Sequence, residues 1–267
     1  MSPTWRSRQI RALRGPKRRA KNDRQDARHL RELLQTGRLP ESWIPPEQIQ
    51  ELRTLVRLRK TLLDERTAWQ QRVHATLFHH GQQARPRLLT KDHRASLAGL
   101  DVSPAARHAI DLALRMIDRV NEELVAIEQQ LVQSARRLRG CRALTRELYG
   151  VGPFTAVAML AELGDASRFS SSRRAVRHTG LDVTVYQSDT KRSRGHLSHQ
   201  GPPVLRWALY EAAMCACRPT SPDLSYFLEV SKRLGANRAR LTIARKLLRR
   251  AYHLLRELGD DALCEVA

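Results

Sequence analysis

The chain has 267 residues, which fits one or two domains, and 41% of them are hydrophobic, which is enough to bury a core. Its 48 Lys and Arg residues against 27 Asp and Glu residues give a formal net charge of +21 at pH 7. The mean hydropathy of −0.51 and the lack of a long apolar run argue against a membrane-spanning protein. Four cysteines and a basic N-terminus without an apolar segment argue against a disulfide scaffold and a signal peptide, so we expect a cytoplasmic protein.

The positive charge is concentrated in three stretches. Residues 1–31 carry eleven Lys and Arg against two acids, residues 168–206 carry eight against two, and residues 232–256 carry nine against none. One such stretch alone is typical of a solvated face or a basic tail. Three of them repel one another strongly unless a partner neutralises them. The distribution therefore favours DNA or RNA as the partner and predicts association with the nucleoid.

Helical spacing of apolar residues predicts a mainly α-helical fold. One helix is expected at residues 23–35, ended by Gly37, and a longer one at residues 47–80, after the Pro45-Pro46 pair. Residues 82–103 are expected to form a polar connector. The chain then divides into three predicted segments, which are residues 1–40, a helical hairpin or coiled coil at 41–140, and a compact helical domain at 141–267.

The helix expected to begin at Ser103-Pro104 has an apolar repeat of seven residues. One set of positions holds Ile110, Ile117, Leu124, Leu131 and Leu138, and a second set holds Leu114, Asn121, Glu128 and Ala135. This spacing is typical of a coiled coil with two polar interruptions. The partner is the 47–80 helix folded back as an antiparallel hairpin, a second chain, or both. We expect a homodimer or a higher homo-oligomer, with an ordinary hairpin in a monomer as the alternative.

The sharpest local motif of the third segment is GVGPFT at residues 150–155. Its two glycines permit a tight turn, and Pro153 suits the first position of a helix that runs to about Leu163. Free backbone N–H groups at a helix start attract phosphate. The motif predicts a helix-hairpin-helix that grips nucleic-acid backbone through Gly150, Gly152, Pro153 and Thr155, with a ligand-free turn as the alternative.

Two other stretches hold candidate catalytic groups. Asp23 and Asp26 lie three residues apart at a predicted helix start, where they could share Mg²⁺ or simply pair with neighbouring arginines. Ser188 lies in a basic loop, where its hydroxyl could attack a phosphodiester or donate a hydrogen bond to phosphate. The cationic residues expected to contact DNA here are Lys191, Arg192, Arg194 and Arg206. The pair Cys215-x-Cys217 lies in an apolar stretch, and burial is favoured over a zinc site.

These runs together resemble the DEDD transposases of insertion sequences, of the Piv/IS one-ten type. The matching runs follow family order: KNDRQDA at 21–27, LPESWIPP at 39–46, GVGP at 150–153, LGD at 163–165 with RF at 168–169, VYQS at 185–188, LRWAL at 205–209 with EAA at 211–213, and ARKL at 244–247. The resemblance implies a RuvC-like domain with four acids around Mg²⁺, then a coiled coil, then a domain with a serine nucleophile. It implies DNA transposition or inversion, in many members guided by an RNA. Asp23 and Asp26 correspond to the last two acids, and Ser188 to the serine.

The sequence also departs from the family pattern. The first Asp and the Glu of the four acids have no counterpart ahead of Asp23, so only a remnant of the RuvC-like domain is expected. The residue after Ser188 is Asp189 instead of glycine, and Pro202-Pro203 replaces a Gly-Asn pair. We therefore expect a truncated transposase that binds DNA without autonomous strand cleavage. The alternatives are a non-catalytic nucleic-acid-binding regulator of a full-length relative, or a chain completed by the product of an upstream reading frame.

Overall fold

The computed structural model describes residues 23–38, 43–82, 90–184, 186–188, 191–193 and 195–265. The chain divides into two compact units, Met1–Gln48 and Ile49–Ala267. The described residues are mainly helical, as the apolar spacing predicts, and they include ten α-helices. None of these helices is long and apolar enough to cross a membrane. The three predicted segments, with boundaries near residues 40 and 140, stay a prediction.

The described part of the first unit contains helix α1, Asp23–Gln35, which has the predicted bounds. Asp23 and Asp26 lie in its first turn, where carboxylates are favoured by the helix dipole. Gly37 adopts a φ of +63° just after the helix, and this backbone conformation suits the glycine that was predicted to end it.

Two long helices of the second unit run antiparallel. Helix α2 spans Glu47–His79 and α4 spans Pro104–Arg137. Arg59 of α2 binds Glu128 of α4, and about two turns further along α2 Arg66 binds Asn121 of α4. The intrachain hairpin that the sequence allows is therefore present. The Ser103 hydroxyl caps α4 as predicted, accepting a hydrogen bond from the N–H of Ala106.

The expected polar connector at residues 82–103 is wrong in part, because helix α3, Lys91–Ala98, lies within it. Leu97 of this helix is buried against Val73 and Leu77 of α2 and Ile110 of α4. Arg107 of α4 also donates hydrogen bonds to the Leu97 and Leu100 carbonyls. Tertiary contacts therefore stabilise a helix whose own sequence is polar.

The buried stripe of α4 differs by one residue from the predicted repeat. Ile110, Ile117, Leu124, Leu131 and Leu138 are buried as expected. Ala113, Val120 and Ile127 share the stripe with them, and Ala135 of the second predicted set is also buried. Leu114, Asn121 and Glu128 are half-buried, and the two polar side chains accept hydrogen bonds from arginines of α2. Asn121 and Glu128 thus lie on the flank of the apolar stripe and do not interrupt it.

The remaining helices form one packed group around α6 and α10. They are α5 (Arg139–Glu147), α6 (Pro153–Leu163), α7 (Ser172–Thr179), α8 (Pro203–Met214), α9 (Leu224–Leu234) and α10 (Ala236–Leu258). Helix α6 packs against α4, α5 and α8, and α10 packs against α7, α8 and α9. Every residue of α6 from Ala156 to Leu163 is buried. This helix is therefore the centre of the core and fixes whatever lies at its start.

A short hairpin and three 3-10 turns, at Ala166–Arg168, Cys215–Cys217 and Gly259–Leu263, complete the described elements. Strand β1 (Tyr186–Ser188) pairs antiparallel with β2 (Lys191–Ser193), with Ser188 opposite Lys191. After α8 the chain tightens into a 3-10 turn, Cys215–Cys217. The expected burial of both cysteines is wrong for Cys217, which is exposed, while Cys215 is half-buried, because the helix ends at Met214 before reaching them.

Candidate nucleic-acid interface

The glycine motif forms the turn between α5 and α6. Gly150 has a φ of +82°, and a Cβ there would lie 2.6 Å from the Ala212 carbonyl oxygen. Gly150 is therefore required both by backbone conformation and by the close approach of α8. Val151 is buried and anchors the turn in the core. The turn is consequently rigid, and its orientation is set by two neighbouring helices.

The start of α6 faces solvent. Gly152 has an ordinary φ of −88°, and a Cβ there would meet no atom within 4 Å. Pro153 follows as the exposed first helical residue, and Thr155 is half-buried in the first turn. Such a helix start presents N–H groups and the positive end of the helix dipole. The arrangement can accept a phosphate at Gly152, where no side chain blocks the backbone.

Arginines lie on both sides of this helix start. An open groove of about 770 Å³ runs past Pro153 and is lined by Arg136, Arg139, Arg142 and Arg146. Arg139 and Arg146 pair with Asp261 and Glu147. Among the described residues, no carboxylate pairs with the exposed Arg136 or Arg142. Two cations without a carboxylate partner among the described residues therefore lie beside the start of α6.

A second groove, of about 550 Å³, opens on the other side of the turn. Its lining includes Gly150, Gly152, Arg146, Arg218 and Arg250. The position of Arg250 in this groove is fixed by a buried acid. Arg250 and Lys246 both bind Asp223, whose side chain is 4% exposed. Burial alone would raise the pKa of Asp223, but the hydrogen bonds from Lys246 and Arg250 hold this pKa below its ordinary value.

Asp223 was missed by the sequence reasoning, and so was Glu162. Both are acids in otherwise apolar or turn-forming surroundings, and such acids are paired when they are buried. Glu162 carried the clearer signal, since it is an isolated carboxylate near the end of the apolar run that became α6. Asp223 follows a proline in a turn, and nothing in the sequence pointed to its partners on α10.

The predicted basic-loop residues are only partly within the described chain. Lys191 and Arg192 lie on β2, while Asp189 and Arg194 lie outside the described residues. Arg206 is half-buried and donates to the carbonyl oxygens of Thr179 and Gly201, at 3.1 and 3.0 Å. Burial lowers its pKa. Arg206 therefore holds the end of α7 against the start of α8, and its contact with DNA stays a prediction.

The candidate catalytic residues belong to different units. Asp23 and Asp26 are on α1 in the first unit, and Ser188 is on β1 in the second. Within the described ranges, no group of three or more Asp, Glu, His or Cys side chains is placed to hold a metal ion. Two carboxylates can hold Mg²⁺ together with water or substrate oxygens, but they are only half of the four acids that the resemblance implies, so they do not by themselves form that site.

Two family models match the sequence of this chain. Residues 142–228 match the family model described as "Transposase IS116/IS110/IS902 family", and residues 3–80 match the DEDD transposase model named for IS110. The second match ends at the close of α2, and the first begins on α5 and covers the glycine turn, α6 and Ser188.

Individual relatives agree with the family models. A Sinorhizobium fredii protein that carries the transposase name y4qE is 30% identical over 202 residues, which are 75% of this chain and 49% of that protein. The transposase for insertion sequence element IS1111A of Coxiella burnetii is 22% identical over 85% of this chain and 64% of its own length. The pilin gene-inverting protein of Moraxella bovis is 26% identical over 48% of this chain and 41% of its own. The chain thus spans about half the length of the Sinorhizobium relative, and it belongs to the IS116/IS110/IS902 family of transposases.

Proposed function

We propose that this chain binds DNA as the transposase of an insertion sequence and holds the sugar-phosphate backbone at the start of α6. One observation carries the proposal: Gly152 and Pro153 present an open helix start beside Arg136 and Arg142, which no described carboxylate neutralises. The family membership and the net charge of +21 support the same partner. Such contacts position a duplex without reading its base sequence.

Duplex binding as a function of salt tests this proposal. We expect the logarithm of the binding constant to fall linearly with the logarithm of salt concentration, by about 0.9 for each phosphate neutralised. The double variant Arg136→Gln/Arg142→Gln should bind several-fold more weakly and have a shallower slope. The matched control is Arg115→Gln/Arg119→Gln, which removes two exposed arginines from the middle of α4. Equal binding by the two double variants would contradict the proposal, and so would a flat salt response.

We further propose that Ser188 is the nucleophile for strand cleavage and that Asp23 and Asp26 contribute to a magnesium site only together with further acids. Two observations support this division: the two family models cover the two regions, and Asp23 and Asp26 are two of the four acids that the family resemblance implies. On this view the chain does not cut DNA autonomously. Strand-exchange assays with the native chain and the Ser188→Ala variant test it, and robust turnover by the native chain would contradict it.

A non-catalytic regulator is the second candidate function. It is favoured by Asp189, which adds a negative charge directly after Ser188. If Ser188→Ala matches the native chain in every assay, including assays in the presence of a relative that carries all four acids, the chain acts through binding alone. The same preparations would show by mass measurement whether α2 and α4 join a second copy in a coiled coil. Copurified RNA would reveal a guide.

A further inference from the structure

A second basic surface lies on helices α7 and α10, apart from the glycine turn. Exposed Arg173, Arg174 and Arg177 are on α7. Arg245, Arg249 and Arg256 recur at intervals of four and seven along α10, which places them on one face of that helix. We call these six residues the α7–α10 basic face.

The two helices are held side by side in antiparallel orientation. Before α7, the carbonyl of Phe169 accepts a hydrogen bond from the Tyr252 hydroxyl at 3.0 Å. After α7, the carbonyl of Leu181 accepts one from Arg245 Nε at 2.6 Å. Ala175, Val176 and Thr179 are buried, so the arginines of α7 are left on its outer side. The two helices therefore present their cations on a continuous, fixed surface.

Most of the charge of this face has no carboxylate partner within the described chain, although Asp182 lies near Arg245. Some exposed arginines on the long helices have carboxylate partners, such as Arg57 with Glu162 and Arg119 with Glu122 and Glu123. For Arg173, Arg174, Arg177 and Arg249, no carboxylate among the described residues lies within ion-pair distance. Burial lowers the pKa of Arg245 and the nearby charge of Arg249 lowers it further, while the Asp182 carboxylate acts in the opposite direction. Like charges held this close on rigid helices indicate an external anion.

The face is connected to the strand that carries Ser188. The segment that follows α7 and the segment that precedes α8 run antiparallel and are joined by backbone hydrogen bonds. The N–H of Thr184 donates to the His196 carbonyl at 2.8 Å, and the N–H of His199 donates to the Gly180 carbonyl at 3.2 Å. The β1–β2 hairpin lies between these two segments in the chain, and Arg245 holds the first segment through its hydrogen bond to the Leu181 carbonyl. A nucleic-acid backbone bound along α7 would thus lie at the start of the segment that leads to Ser188.

This face is turned away from the groove on the other side of α10. Lys246 and Arg250, each one residue beyond Arg245 and Arg249, bind Asp223 instead. Successive residues lie about 100° apart around a helix, since 3.6 residues make a turn. The α7–α10 basic face and the glycine-turn groove therefore lie on different sides of the same helix.

We propose that the α7–α10 basic face is a second binding surface for nucleic-acid backbone, which holds a strand beside the segment that carries Ser188 while the glycine turn holds another. The proposal rests on the proposed function, since it assumes a nucleic-acid partner. The ligand chemistry is a run of phosphodiesters, which DNA and RNA share. Arg173 and Arg177 lie one turn apart, about 6 Å along the helix axis, which suits contacts to neighbouring phosphates of one strand.

The double variant Arg177→Gln/Arg249→Gln tests the second surface. Both side chains are exposed, and no described carboxylate pairs with either, so we expect the folded chain to keep its melting temperature. With duplex DNA or with structured RNA as the probe, the salt slope should fall by about 1.8, which is two contacts at about 0.9 each. The probe that shows the loss identifies the nucleic acid bound there. The control is again Arg115→Gln/Arg119→Gln.

Combining the variants separates the two proposals. If both surfaces bind, the α7–α10 variant and the Arg136→Gln/Arg142→Gln variant should each lower the slope, and their combination should lower it by the sum. If only the Arg136→Gln/Arg142→Gln variant loses binding, the second surface is contradicted and the proposed function stands. If neither differs from the control on either probe, both proposals are overturned. Loss by the α7–α10 variant alone would keep the second surface and contradict the role of the helix start.

Discussion

Arg57 of α2 holds the carboxylate of Glu162 on α6 through two parallel hydrogen bonds, Nε to Oε1 at 2.8 Å and a terminal nitrogen to Oε2 at 2.9 Å. The Glu162 side chain is 1% exposed, whereas that of Arg57 is 55% exposed. Arg53 adds a hydrogen bond to the Ala161 carbonyl at 2.6 Å. A surface helix thus reaches the central helix through one bidentate ion pair.

Removing Arg57 should destabilise the second unit more than its exposure suggests. Arg57→Ala leaves a buried carboxylate without its principal partner, and we expect a loss of about 3 kcal/mol in the free energy of unfolding, measured by urea titration. Arg57→Ala/Glu162→Gln should recover part of this loss, because the amide carries no charge. If the double variant is less stable than the single one, the ion pair does not account for the effect.

The two glycines of the turn should respond differently to alanine. Gly150→Ala places a Cβ 2.6 Å from the Ala212 carbonyl at a φ of +82°, and we expect a stability loss of about 2 kcal/mol. Gly152→Ala meets open space, so its melting temperature should hardly change, while its added methyl group stands between the helix start and a phosphate. Its affinity for duplex DNA should therefore fall. Undiminished affinity of the Gly152→Ala variant for duplex DNA would show that the nucleic-acid backbone does not approach the turn there.

Asp223 makes stability depend on pH in the acid range. Its pKa in the folded chain lies below the ordinary value of 3.8, so its contribution is complete above that pH and is lost as the pH falls through the lower folded value. We expect Asp223→Asn to cost about 2 kcal/mol at neutral pH, since Lys246 and Arg250 lose a charged acceptor. Thermal melts of both proteins should converge as the pH falls below 3.8. A difference that stays constant with pH would show that the carboxylate charge is not responsible.

The four thiols should differ in reactivity. Burial raises the pKa of Cys141 to about 12, so its thiol stays protonated and enclosed in the folded chain. Cys217 and Cys264 are exposed and should react rapidly with a water-soluble disulfide reagent, ahead of the half-buried Cys215. Mass spectrometry of the labelled chain should find Cys141 modified only after unfolding. Early labelling of Cys141 would contradict its placement in the core.

Local signals predicted the elements whose ends carry strong caps. Helix α1, the start of α4 at Ser103-Pro104 and the whole of α6 follow from proline, glycine and serine at their termini. Helix α3 could not be predicted this way, because its stability comes from Leu97 and from hydrogen bonds donated by Arg107. The repeat of α4 gave the correct buried residues at every seventh position, but it could not tell which flank would meet arginines from α2.

The candidate site was predicted unevenly for a similar reason. The glycine turn is a short-range feature, so the sequence indicated it directly. The grooves around it depend on Arg136, Arg142 and Arg250, which come from three helices and meet only after folding. Asp223, which fixes Arg250, is linked to it across 27 positions of the chain. Spacing along the chain cannot reveal such a pairing.

The enclosure of α6 has a mechanical consequence. Its residues from Ala156 onward are packed on every side, so the turn at its start cannot tilt without disturbing the interior that several helices share. A duplex bound there would therefore contact a turn that does not move. If a duplex binds there as proposed, its bending would be absorbed by the nucleic acid, whose deformability along the sequence would influence where the protein binds.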